Sequence, residues 1–596
     1  MIQFQKPEVD QFFRTYVITN FAVSKDEKRL IFSSNLNGKQ NLWATDFPNQ
    51  FPYLFAQVDQ QCNFIKIDNE NRFVLAGFDI DGDENYQIYA LANEGGKPQP
   101  LITGEKDEKY FFAELSKDGE RLYYMTSKDN PQFLNIHKYN IKTNEDTLIQ
   151  KGEAAPTYLS AVSPDEKSFV TTSMLANTYQ LGYVTVEGEK HLLTPSKEEV
   201  HTISNPIYID DSTIYFVTNY GEEFSYIASF DIKNKTFKPV LKKENESVKQ
   251  LKWNKEFQTI YFVTEKGVTD SLYEMDLGSD KVTKLEVPTD VVEQLTITEK
   301  GNIYLLGRSA TAPFNIFKKE NAAENWEQIT ENNVLGITTE QMVEPEVITY
   351  PSFDGMDIEA LLFKAKPELA NGHTIFWPHG GPQSAERKWF RAMFQCFLNR
   401  GYNIFAPNFR GSTGYGATFT KLVEGDWGEG PRLDCVHGIE WLFEQGISSR
   451  EKLFIVGGSY GGYMTLLLAG RHPELFKASV DIFGVSNLFT FINSVPEHWK
   501  PIMKRWLGDP IEDKERLEKD SPITYLDAMV KPMLVIQGAN DPRVVKEESD
   551  QIVAALEKNG VDVEYLVLDD EGHGFSKKAN EIKVYEKMLE FLDKHQ

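Results

Sequence analysis

Between residues 20 and 310 one short pattern returns seven times, and this recurrence limits the fold more than any other feature of the chain. A polar turn leads into a strand rich in Ile, Val, Phe and Tyr: Ser24-Lys-Asp-Glu-Lys-Arg29 precedes Leu30-Ile-Phe, Ser116-Lys-Asp-Gly-Glu-Arg121 precedes Leu122-Tyr-Tyr, and Ser163-Pro-Asp-Glu-Lys-Ser168 precedes Phe169-Val. Leu30, Phe73, Leu122, Phe169, Ile214, Ile260 and Ile303 mark units spaced 43 to 49 residues apart. That is the length of one four-stranded propeller blade. A single blade cannot bury both of its faces, so the units must pack around an axis. A seven-bladed β-propeller is expected over residues 15–338.

From about Gln341 the grammar changes. Short apolar strands (Thr374–Trp377, Asn403–Ala406, Leu453–Val456, Ala478–Asp481, Met533–Ile536, Tyr565–Leu568) now alternate with helical stretches such as Leu433–Glu444, Tyr463–Leu475 and Ser549–Lys558. An α/β domain with a mostly parallel sheet is expected over residues 339–596, its functional loops gathered at the carboxyl ends of the strands. At 596 residues the chain is too long for one core, which agrees with two domains.

Composition narrows the partners. A net charge of −26 argues against nucleic acid and against an anionic membrane surface. No segment reaches the roughly 18 apolar residues of a membrane span, and the first residues have no pattern of a secretory leader. Cys62, Cys396 and Cys435 fit no disulfide framework or metal pattern, so free thiols in a reducing cytoplasm are expected. No cofactor motif is present. Arg410-Gly-Ser-Thr-Gly-Tyr-Gly416 has the spacing of neither phosphate-binding loop and reads as a structural turn.

The chemistry is concentrated in the second half. Gly457-Gly-Ser459-Tyr-Gly-Gly462 follows a strand directly and opens a helix, the layout that a nucleophile elbow requires. A serine hydroxyl needs a base within hydrogen-bond reach, and an acid must orient that base. Two later strands lead into Gln537-Gly-Ala-Asn-Asp541-Pro-Arg543 and Asp569-Asp-Glu-Gly-His573-Gly574. Ser459, Asp541 and His573 thus stand in the α/β-hydrolase order, with Asp569 and Asp570 as competitors too close to His573 in the chain. Backbone N–H groups of Tyr460 and of the loop Pro378-His-Gly-Gly381-Pro382 are the candidate donors to a developing oxyanion.

Pro378-His-Gly-Gly-Pro, Asn408-Phe-Arg-Gly-Ser-Thr-Gly-Tyr-Gly416, Asp426-Trp-Gly428, Gly457-Gly-Ser-Tyr-Gly-Gly-Tyr463, Glu571-Gly-His-Gly574 and the propeller run Asp81-Gly-Asp-Glu-Asn-Tyr86 resemble the prolyl oligopeptidase family of serine peptidases, in wording its acylaminoacyl-peptidase branch. The resemblance implies a β-propeller set before an α/β-hydrolase domain, with residues 1–14 as an N-terminal segment on the hydrolase. It implies the triad Ser459, Asp541 and His573, an oxyanion hole from the N–H groups of Gly381 and Tyr460, and Arg543 in the substrate site. It further implies short, N-acylated peptides as substrates and a dimer or larger homo-oligomer. Gln537 stands where the family has His, and Val545 where it has Pro. Glu222-Glu223 is the obvious counterpart of the acidic pair that holds a free amine in the dipeptidyl-peptidase branch, but its context does not match that motif. An esterase with the same triad, a dipeptidyl-peptidase-type exopeptidase and a non-catalytic propeller protein are the rival readings. Phe483, Phe489, Phe491 and Trp499 are candidates for the side-chain pocket.

Overall fold

The computed structural model describes residues 7–596. Seven antiparallel sheets follow one another along the chain, each made of four consecutive strands. The first blade comprises Ile18–Val23, Arg29–Ser34, Asn41–Asp46 and Tyr53–Ala56; the last comprises Val291–Ile297, Ile303–Ser309, Ala312–Lys319 and Glu327–Gln328. All seven marker residues fall on the second strand of a blade, where Leu30, Leu122, Ile214 and Ile260 are fully buried.

Local hydrogen bonding explains why the polar turn repeats. Ser24 Oγ donates to Asp26 (2.7 Å) and accepts from the Arg29 N–H (3.0 Å). Ser116, Asp118 and Arg121 repeat that pattern, as do Ser163, Asp165 and Ser168. The serine and aspartate therefore satisfy turn backbone that two strands would otherwise leave unpaired. The ring closes between the first and last blades by packing of Phe21, Leu30 and Phe32 against Tyr304, Leu306 and Ile316. Gln294 also donates to the Phe21 carbonyl at 2.8 Å. Each blade is continuous in sequence, so no strand is shared across the seam.

The second domain is built on eight strands: β1 (Glu346–Pro351), β2 (Asp357–Phe363), β3 (Thr374–Phe376), β4 (Asn403–Pro407), β5 (Leu453–Gly458), β6 (Ser479–Ile482), β7 (Met533–Gly538) and β8 (Val563–Leu568). They lie in the order β1-β2-β4-β3-β5-β6-β7-β8. β1, β2 and β4 pair antiparallel and the remainder parallel. This is an α/β-hydrolase sheet, and the loops after β3, β5, β7 and β8 open at one edge of it. The antiparallel pair β1–β2 was not among the strands expected from sequence: Tyr350 is the one buried residue of β1, and β2 opens on polar Asp357 and Glu359 before its buried run Ala360–Phe363.

A short helix, α1 (Val9–Phe13), joins this domain from the far end of the chain. It packs on α2 (Ala392–Asn399) and on the last helix, Lys578–Lys594. Phe12 and Phe13 are each 1% exposed, and Phe13 stacks on Tyr585 with ring centroids 4.5 Å apart. Residues 1–6 of the N-terminal segment lie outside the described residues. Removing the Phe13 ring leaves a cavity in the hydrolase core, so Phe13→Ala should cost about 3–5 kcal/mol of stability. Urea denaturation of the full chain, followed by Trp fluorescence, measures it.

Candidate active site

β5 ends at Gly458, and the helix Tyr460–Arg471 begins one residue later. Between them Ser459 has φ 59° and ψ −121°, a conformation costly for any residue with a Cβ. The flanking glycines exist because three chains converge there. A Cβ on Gly461 would overlap the Pro378 carbonyl oxygen, and one on Gly457 would overlap the Gly461 carbonyl oxygen. Sequence reading started this helix at Tyr463, since two consecutive glycines argue against helix by propensity; close packing overrides that preference.

The loops after β7 and β8 bring two more side chains to Ser459. His573 Nε2 lies 3.0 Å from Ser459 Oγ, and His573 Nδ1 lies 2.6 Å from Asp541 Oδ2. Asp541 has no exposed side-chain surface, and its other oxygen accepts the N–H groups of Arg543 (2.9 Å) and Val544 (3.0 Å). The carboxylate is thus fixed by its own loop while it fixes the imidazole. Such a chain can take the serine proton and stabilise the imidazolium that forms. Asp570 is instead held by Lys577 (2.9 Å) and Asn580 (2.9 Å), and the Asp569 carbonyl accepts from Asn540.

The two departures from the family wording have local roles. Gln537 is fully buried; it donates to the Val544 carbonyl (3.0 Å) and accepts from Ser549 (2.8 Å), bracketing the Asp541 loop. Val545 is the extended residue that precedes the helix Lys546–Lys558.

Tyr460 supplies the first N–H of the helix after the elbow, where backbone donors lack intrahelical partners and the helix dipole favours negative charge. The loop after β3 passes directly over Ser459: a Cβ on Gly380 would sit 3.5 Å from the serine Cβ. Gly381, at φ 129°, lines the same cavity as Ser459, Tyr460 and His573. His379 is buried under this loop, stacks on Phe409, and shares a 2.8 Å hydrogen bond with Ser412; burial pushes its pKa down to about 4, so the ring is neutral at pH 7. Arg410, from the glycine-rich turn, pairs with the buried Asp434 and with Asp354. That turn is a structural support for the site.

The cavity beside Ser459 has a volume of about 110 Å³. Trp427, Phe491, Trp499 and Trp506 form its aromatic wall, with Val485 and Val544. Of the four pocket candidates, Phe491 and Trp499 line it, whereas Phe483 packs against His573 at 4.5 Å between centroids and Phe489 packs into the adjoining core. Trp427, Val485, Trp506 and Val544 were not foreseen, because they come from separate segments that no spacing rule connects.

Arg543 reaches the mouth of this cavity. Its Nε lies 2.8 Å from Glu84 Oε1, and its guanidinium lies 6.0 Å from the Trp499 ring centroid. Glu84 belongs to the propeller run Asp81–Tyr86, so the propeller contributes directly to the site. Lys109 donates to the Glu84 carbonyl (2.9 Å) and to Asn85 (2.8 Å) from an adjacent buried position. Glu222 and Glu223 are occupied elsewhere: Glu222 pairs with Lys242, and Glu223 accepts from the Thr418 N–H (2.6 Å) and hydroxyl (2.7 Å). Among the described residues no group of three or more His, Cys, Asp or Glu could hold a metal ion.

An α/β-hydrolase sheet bearing a strained serine and a neighbouring histidine defines the class: the chain is a serine hydrolase. Residues 388–596 match the family model described as "Prolyl oligopeptidase family". The chain is 28% identical over 593 residues to dipeptidyl aminopeptidase BIII of Pseudoxanthomonas mexicana, covering 94% of this chain and 84% of that protein. It is 28% identical over 251 residues to an acylamino-acid-releasing enzyme of Arabidopsis thaliana, covering 40% of this chain and 32% of the relative. Among solved structures, a Mycobacterium tuberculosis puromycin-hydrolyzing peptidase superposes with a TM-score of 0.86 at 18% identity, over 98% of this chain and 95% of that one. Pyrococcus horikoshii acylaminoacyl peptidase gives a TM-score of 0.74 at 19% identity over 99% and 97% of the two chains. These two superpositions extend the shared fold across both domains.

If Asp541 orients His573, then Asp541→Asn should keep the fold and lose on the order of 10⁴ in kcat. Asp570→Asn should stay close to wild type. Steady-state kinetics of both variants, with circular dichroism as the folding control, decides between the two acids.

Proposed function

We propose that this protein is a cytoplasmic oligopeptidase that removes an N-terminal acylated amino acid from short peptides, by a Ser459–His573–Asp541 acyl-enzyme mechanism. Ser459 Oγ attacks the scissile carbonyl as His573 takes its proton. Negative charge then develops on the carbonyl oxygen, toward the N–H groups of Gly381 and Tyr460. His573 returns the proton to the leaving amine, and water releases the acyl group by the same steps in reverse. The aromatic cavity suits an apolar side chain on the residue whose carbonyl is attacked.

One observation carries the choice of substrate: Arg543 is held over the cavity by Glu84, its Nε 2.8 Å from Glu84 Oε1. Its outer guanidinium nitrogens remain as donors for a neutral acyl or peptide carbonyl. With Lys109 close behind, a cationic amine would meet two positive groups and a carboxylate already engaged. The full-length similarity to a dipeptidyl aminopeptidase favours a second reading, in which Glu84 receives a free N-terminal amine. A matched panel separates the two. Acyl-aminoacyl anilides should be turned over at least tenfold faster, by kcat/KM, than dipeptidyl anilides with the same scissile residue; the reverse order selects the second reading. Arg543→Ala should depress peptide turnover much more than turnover of a short-chain ester, which has no carbonyl besides the scissile one to present there.

The propeller covers the site and contributes to it through Glu84, so a substrate has to be narrow and flexible enough to pass. Peptides of up to a few tens of residues sharing one scissile sequence should be cleaved, and a folded protein carrying it should be left intact. A rate that does not depend on length would show that the propeller does not gate access.

A further inference from the structure

The loop Trp377–Arg391 carries Gly381 from β3 to α2, and hydrogen bonds from both domains hold it. On the hydrolase side Glu386, 1% exposed, accepts from Trp377 Nε1 (3.0 Å), Trp389 Nε1 (2.6 Å) and Arg391 Nε (2.7 Å). Asn408 adds a reciprocal pair with the Glu386 backbone (2.7 and 3.0 Å), and further anchors cross to three blades of the propeller. Asn177 donates to Gln383 Oε1 at 2.8 Å, Arg308 to the Phe390 carbonyl at 3.3 Å, and the Lys388 N–H to the Val268 carbonyl at 3.1 Å.

The strongest crossing is a buried ion pair. Arg387 Nη2 lies 2.6 Å from Asp270 Oδ1, with side chains 5% and 0% exposed; Glu265 lies 3.4 Å from Arg387 Nη1. Asp270 Oδ2 accepts from Lys249 (2.6 Å) and from the Val292 N–H (2.8 Å). Both oxygens of Asp270 are therefore engaged, and the carboxylate is locked in the propeller framework. A charge pair so desolvated tolerates little displacement, because separating it leaves uncompensated charge out of water. Arg387 stands six residues after Gly381 on the same loop.

We infer that Asp270, a propeller residue, is a positioning residue for the oxyanion donor Gly381 and acts on it through Arg387. The propeller in this reading is part of the catalytic framework, since it sets where one of the two oxyanion donors stands. The inference rests on the acyl-transfer mechanism proposed above.

The test uses the full-length enzyme, an anilide substrate and a peptidyl aldehyde. Ser459 Oγ adds to the aldehyde carbon, and the hemiacetal oxygen occupies the oxyanion position, so aldehyde affinity reports on the donors there. Asp270→Asn should lower kcat roughly 10- to 100-fold, as expected for a displaced rather than a deleted donor. Aldehyde affinity should fall in step while KM moves less than about threefold, the signature of an interaction made mainly in the transition state. Arg387→Lys, which keeps the charge and loses the fork, should fall between wild type and Asp270→Asn. Asn177→Ala, at a less buried anchor, should shift kcat and aldehyde affinity the same way by less, and it serves if Asp270→Asn does not fold. Glu223→Gln, which weakens a contact to the helix Ala417–Lys421 and reaches this loop only indirectly, through the Thr420 carbonyl and Gln383, should move both less than Asn177→Ala does. The inference is overturned if aldehyde affinity holds while kcat falls, if KM alone rises, or if Glu223→Gln matches Asp270→Asn. A wild-type enzyme that does not bind the aldehyde would instead overturn the mechanism on which the inference depends.

Discussion

The backbone of Ser459 is the constraint from which the rest of the site follows. A residue with a Cβ at φ 59° and ψ −121° costs on the order of 1–3 kcal/mol, and it persists only where the surroundings leave no alternative. Here the Ser459 N–H is tied to the Ile482 carbonyl on β6 (2.9 Å), and the Pro378 carbonyl presses on Gly461 from above. The helix after the elbow is buried along nearly all of its length. A hydroxyl so held points out of the sheet toward the loops that carry His573 and Asp541. The same compression brings the Gly380–Gly381 loop within contact of Ser459.

Each of those loops is also touched by the propeller. Asp81 pairs with Lys577 at 2.8 Å, and its carbonyl accepts from Asn540, so one hairpin contacts the loops of both His573 and Asp541. Gly82 abuts Gly572, the residue before His573, closely enough that neither position has room for a side chain. Glu84 holds Arg543 and Asp270 holds Arg387. A lid that merely screened the site would not require so many specific polar contacts to the loops beneath it.

What could be read from the sequence follows the range of the interactions involved. The seven blades were legible because each polar turn is closed by its own side chains, three by a serine and an aspartate two residues apart and the rest by Asp68, Asp210, Asn254 or Thr298, bonds that lie within the repeat itself. The strand–Gly-x-Ser-x-Gly–helix arrangement was legible for the same reason, since the residues that strain the turn are contiguous. The side-chain pocket was not: Trp427, Val485, Trp506 and Val544 meet only after the sheet has folded. The Glu84–Arg543 and Asp270–Arg387 pairs join residues from different domains, and no local pattern marks them in a chain with so many acidic residues. The helix after Ser459 began three residues earlier than propensity suggested, because Gly461 and Gly462 are there for closeness and not for flexibility.

The docking of α1 has a consequence for how the molecule is made. Phe12 and Phe13 leave the ribosome well before the helix Lys578–Lys594 against which they pack is synthesised. At roughly 5–20 residues per second, the two are separated by on the order of half a minute to two minutes. During that interval the seven blades can complete their ring, since each is contiguous and rests on its neighbours. The hydrolase cannot, because its core needs both α1 and the helix Lys578–Lys594, and His573 itself follows the whole propeller. A nascent chain therefore carries a finished propeller before Ser459, His573 and Asp541 can be brought together. The order of translation withholds hydrolysis until the helix Lys578–Lys594 has been made.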